Sequence, residues 1–105
     1  MKEKPTKVLR VLAEKIRRKY PKARIWAFGS YARATAGDES DLDICVVLTQ
    51  MEIGDRLTVS DIAWEVGFEN DLHLSTIVIS EKDFEQGPLS ASPLLEAVRC
   101  EGVAA

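Results

Sequence analysis

Apolar positions divide the chain into segments of two different periods. Val8, Leu9, Leu12, Ile16 and Tyr20 recur at helical spacing and predict an amphipathic helix. Thr6 is placed to cap it, and Pro21 to stop it. ARIWAF, residues 23–28, then reads as a strand ending at Gly29. Residues 30–34 suit a short helix, followed by a polar loop through Gly37 and Glu39. DLDICVVLT, residues 41–49, is a second strand, and its unbroken apolar run Ile44–Leu48 predicts burial on both faces.

Gly54 interrupts the pattern. Ile62, Ala63 and Val66, with Leu57 flanking them, predict a helix over about 55–68. Leu72 to Ser80 forms a third strand, β-branched toward its end. Ser80 and Asp83 resemble a capping box that opens a short helix, SEKDFE. GPLSASP is a loop. Pro93 suits the first position of a last helix, and Gly102 its end. The predicted fold is α/β (α+β), a small mixed sheet flanked by helices, in one domain over residues 1–105.

Composition adds little until charge is located. The chain is 46% hydrophobic and 30% charged, with net charge −3. Residues 1–24 hold ten of the 14 Lys/Arg and two of the 17 Asp/Glu, so a basic first helix precedes an acidic remainder. A solvated helix face is the plainer reading, and docking to a polyanion or acidic partner the sharper one. Few aromatics accompany the patch, and the body is acidic, so nucleic acid is disfavoured as a partner. No apolar run reaches the roughly 18 residues of a membrane span, and the N-terminus lacks a signal-like apolar core. Cys45 and Cys100 match no metal spacing. Both are expected as reduced core residues in a cytoplasmic protein.

The chemistry lies in GSYARATAGDESDLD, residues 29–43. In a strand Asp41 and Asp43 share one face, roughly 6.5 to 7 Å apart, while Leu42 and Ile44 turn to the core. Two such carboxylates repel unless a cation lies between them. Mg²⁺ suits the position, because it takes oxygen ligands from one or two carboxylates plus substrate phosphates. Gly29 lets a phosphate approach the backbone at a helix start, and the Ser30 hydroxyl can hold it. Arg33 can reach a phosphate or pair with an acid. Each piece alone has an ordinary explanation, as a turn, a cap or a surface ion pair. Together they form a triphosphate cradle beside a metal clamp, which is what phosphoryl transfer requires.

GSYAR followed by SDLDICVVL resembles the signature of the DNA polymerase beta-like nucleotidyltransferase superfamily, and within it the minimal nucleotidyltransferases (MNT). Gly29, Ser30, Arg33, Ser40, Asp41 and Asp43 match the motif, and Ala34 stands where glycine is common. SPLLEAVRCEGV is similar to the family's last helix. The resemblance implies Mg²⁺ held by Asp41 and Asp43. It implies nucleotide binding through Gly29, Ser30, Arg33 and Ser40. It also implies transfer of a nucleoside monophosphate, AMP in the first place, from an NTP (ATP) to an acceptor hydroxyl. A third carboxylate on the third strand completes the site in active members. Here Asp71 fills that role if the strand begins early, or His73 replaces it as base or ligand, or the third acid is absent and His73 is a hydrogen-bonded packing residue. Minimal members resemble antitoxins paired with a helical HEPN-type toxin, so the acceptor is expected on a partner protein or at a dimer interface. The alternative reading is an antitoxin-like binding module with reduced or lost catalysis.

Overall fold

A computed structural model describes residues 3–29, 41–86 and 92–105. The expected short helix over 30–34, the polar loop after it and most of the GPLSASP loop lie outside the described residues. So do Ser30, Arg33, Ala34 and Ser40.

The first helix, α1, spans Glu3–Lys19 and buries Val8, Leu9, Leu12, Ala13 and Ile16 along one side. It begins earlier than its apolar stripe suggests, so Thr6 is a helical residue and not the cap. Pro5 falls in the first turn, where its missing N–H leaves no intrahelical bond unmade. Strand β1 follows at Arg24–Phe28, and β2 spans Leu42–Leu48. Helix α2 covers Asp55–Glu69, and β3 covers Leu74–Ser80. Helix α3 is Glu81–Glu85, with Ser80 Oγ accepting from the Asp83 N–H as the capping pattern predicts. Helix α4 is Pro93–Glu101, with Pro93 at its first position after the Ser92 cap. A two-residue strand, β4, at Val103–Ala104 was not predicted.

The sheet order is β3-β2-β1-β4. β1 runs antiparallel to β2 and β4, and β2 runs parallel to β3 through the α2 crossover, so the sheet is mixed as expected. β2 is central, and Ile44 to Leu48 are all buried. Each such aliphatic side chain contributes roughly 1.5–3 kcal/mol by leaving water. Leu42, Ile44, Val46 and Leu48 pack with α1 and α2 on one face of the sheet. Cys45 and Val47 pack with Phe84 of α3 and Leu95 and Val98 of α4 on the other. On that second face Trp26 stacks on Phe84, and Arg24 lies over both rings while pairing with Glu81 and Glu85. Cys45 is buried as expected, but Cys100 is exposed. On α4 the inward positions go to Leu95 and Val98, and Cys100 falls off that stripe.

Candidate functional site

Strand alternation decides which face carries the acids. Asp43 is in phase with Cys45 and Val47, so it belongs to the α3/α4 side of the sheet, at the end where β2 begins, and Asp41 lies one residue before the strand. Asp43 is half-buried and Asp41 exposed, whereas Leu42 between them is fully buried in the opposite core. The burial of Leu42 and Ile44 therefore anchors Asp43 on the other side of the strand.

Gly29 stands next to Asp43 because β1 is antiparallel to β2, with Phe28 paired to Asp43. The glycine has φ +78° and sits so close that a Cβ on it would lie 2.5 Å from Asp43 Oδ2. Both observations demand glycine: the left-handed backbone, and the space a carboxylate oxygen already occupies. Gly29 is thus a spacing element for Asp43 as well as the turn residue expected from the sequence.

The third strand meets the pair from the other side. The Leu42 N–H donates to the His73 carbonyl at 2.9 Å, and the parallel register sets Ser75 opposite Asp43. His73 Nδ1 lies 2.8 Å from Asp41 Oδ1, a hydrogen bond between side chains that are 75% and 46% exposed. The structure therefore joins Asp41 to His73 and Asp43 to Gly29. Asp71 does not lie in the strand, because β3 starts at Leu74 rather than Leu72. Asp71 occupies the preceding turn with φ +51°, a left-handed conformation that aspartate tolerates better than most residues. Among the described residues, no three His, Cys, Asp or Glu side chains are grouped to hold a metal. Cys45, two residues beyond Asp43, is chemically quiet: burial pushes its thiol up to about 11.

Sequence reasoning missed one property of the neighbourhood, the outward face of α2. Trp64 and Phe68 are exposed and stacked on each other, with centroids 5.3 Å apart. The signal was available: helical spacing puts residues 57, 64 and 68 opposite Val59, Ala63 and Val66, so both faces of α2 are apolar.

The sequence profile of the nucleotidyltransferase domain family matches residues 9–98, from within α1 to within α4. The chain belongs to that family. No curated protein sequence matches the chain. Among solved structures, a toxin–antitoxin complex with AMP-PNP contains a similar chain, 22% identical with a TM-score of 0.62. That match covers 90% of this chain and 69% of the other. A mutant of the toxin–antitoxin pair MntA–HpeT gives 23% identity and a TM-score of 0.60, with 88% and 68% covered. A candidate nucleotidyltransferase from Sulfolobus solfataricus gives 19% identity and a TM-score of 0.59, with 99% and 87% covered. At these identities the structures establish a shared fold. Among the described residues, no helix of this nucleotidyltransferase domain is long and apolar enough to cross a membrane.

Proposed function

We propose that this domain moves a nucleoside monophosphate, AMP from ATP in the first place, onto a hydroxyl of a partner protein, a small helical protein of HEPN type. The observation that carries the proposal is the in-phase pair Asp41 and Asp43 at the start of β2, with Gly29 set against the Asp43 carboxylate. The family match and the similar chain seen in a toxin–antitoxin complex with AMP-PNP support it.

The donor set fits a hard divalent cation: two carboxylates on one strand face, completed by phosphate oxygens. Asp41 and Asp43 would hold Mg²⁺, which would neutralise phosphate charge as pyrophosphate leaves. Gly29, Ser30, Arg33 and Ser40 bind the nucleotide in this reading. The His73 hydrogen bond restrains the Asp41 carboxylate, as outer partners of metal-binding carboxylates do. Asp71, held in the turn before β3, does not complete the pair, which in this reading leaves His73, bonded to Asp41, to take the acceptor's proton. Single-turnover labelling with α-³²P-ATP, Mg²⁺ and the protein encoded by the adjacent gene tests this. Label on the partner, lost in Asp43→Ala, supports transfer; no label with any of the four NTPs rejects it.

A second reading, an antitoxin-like module that neutralises its partner by docking alone, is favoured by a specific observation. The register sets Ser75, not an acid, opposite Asp43, and no three-carboxylate group forms among the described residues. If the Asp41→Ala/Asp43→Ala variant neutralises the neighbouring toxin as well as the wild type does, docking suffices; if it fails, this reading is rejected.

A further inference from the structure

α2 carries more apolar surface than one core can use. Its inward side, Val59, Ala63 and Val66, is buried between α1 and the sheet. Its outward side shows Leu57 at 66%, Trp64 at 68% and Phe68 at 75% exposure. Residues 57, 61, 64 and 68 follow one another at helical spacing, so these side chains form a continuous ridge with Asp61 within it. A contiguous exposed ridge of this kind marks an interaction surface. Trp and Phe are also among the large aromatic side chains that dominate interface energetics through the area they bury.

The ridge borders a groove of about 450 Å³ lined by Trp64, Phe68, Asp71, Leu72, His73 and Leu74. Gly67 lets the 72–74 segment pack closely on α2 beside this groove: a Cβ there would collide with the Leu72 carbonyl and touch Leu74. Its far wall, His73, is bonded to Asp41. The groove thus runs from the aromatic pair to His73, the residue bonded to Asp41.

Charge selects the occupant. Asp61 and Glu65 on α2 and Asp71 at the groove's end surround the aromatic pair with exposed carboxylates, and the one cation of α2, Arg56, lies two turns away, donating to the Val78 carbonyl. We infer that this surface docks an amphipathic segment of a partner protein, one that seats apolar side chains against Trp64 and Phe68 and sets Lys or Arg opposite Asp61, Glu65 and Asp71. A segment in the groove is delivered to His73 and Asp41, so this partner is also the acceptor of nucleotidyl transfer. That last step rests on the transferase reading; the docking does not.

A displayed library of random 16-residue peptides, selected on the whole wild-type chain without ATP or Mg²⁺, tests the docking. The expected binders interleave apolar residues with Lys or Arg. They bind at least about tenfold more weakly to Trp64→Ser/Phe68→Ser and to Asp61→Asn/Glu65→Gln. Both variants alter exposed side chains, and circular dichroism verifies their fold. The same peptides bind Asp43→Asn, whose side chain lies outside the groove, unchanged, so loss of transferase activity and loss of docking are read separately. No enriched peptide, binders without basic residues, or binding indifferent to both α2 variants overturns the proposal. Sedimentation covers the other occupant: a wild-type dimer that Trp64→Ser/Phe68→Ser dissociates assigns the ridge to a second copy and also overturns it.

Discussion

Gly29 makes the sharpest test at the scale of single residues. Its positive φ and its approach to Asp43 Oδ2 predict that Gly29→Ala destabilises the fold by about 1–3 kcal/mol. The same change displaces the Asp43 carboxylate. Urea unfolding reads the first effect, and ATP binding the second. Unchanged stability would mean the turn is not held as described. The cysteines give a second test. Cys45 is buried with a raised pKa, and Cys100 is exposed. Native protein is expected to take up one equivalent of iodoacetamide, at Cys100, and a second after unfolding, as counted by mass spectrometry. The sequence carries a signal that separates the two thiols: Cys45 stands in an apolar run, whereas Cys100 lies between Arg99 and Glu101. Burial of Cys100 depends on which stripe of α4 faces the sheet, and Leu95 and Val98 win it.

At the scale of elements, the Tyr20–Asp55 bond ties the end of α1 to the start of α2. The Tyr20 hydroxyl donates to Asp55 Oδ1 at 2.8 Å, and the Glu52 N–H donates to Oδ2 at 2.7 Å. The Glu52 bond first, then Tyr20, holds the Asp55 carboxyl below the usual aspartate range. Its stabilising effect is therefore complete above the ordinary aspartate pKa of about 3.9 and disappears as pH falls through the depressed value. Tyr20 shifts the other way, raised by partial burial and then by Asp55, so its share is complete below about pH 10 and lost at higher pH. Asp55→Asn is expected to lower the urea midpoint at pH 7 and to match the wild type near pH 2. A gap that persists in acid would contradict the assignment. α1, β2 and α2 were legible because long apolar stripes leave few alternatives. β4 was not, since two residues carry no period and its pairing with β1 is a long-range contact. The start of β3 was misread for a local reason: the left-handed turn at Asp71 holds Asp71 and Leu72 out of the ladder.

The whole molecule separates two tasks between the two ends and faces of one sheet. The α1/α2 side holds the larger core. The α3/α4 side carries the acids where β2 begins. The alternation of β2 disclosed the placement of Asp43, since Leu42 and Ile44 fix which face is the opposite one. It did not disclose that His73 bonds Asp41, because that contact depends on the β2–β3 register. Nor did it disclose the outward ridge of α2, which is visible as a surface only once the inward stripe is known. The central claim is that Asp41 and Asp43 form a metal-dependent nucleotide site. Calorimetric titration of ATP into wild type and Asp41→Asn/Asp43→Asn, each with Mg²⁺ and with EDTA, tests it most directly. The account predicts that Mg²⁺ tightens ATP binding to the wild type by about tenfold or more and does nothing for the double variant. Equal affinity with and without Mg²⁺, or a metal effect that survives the double substitution, would contradict it.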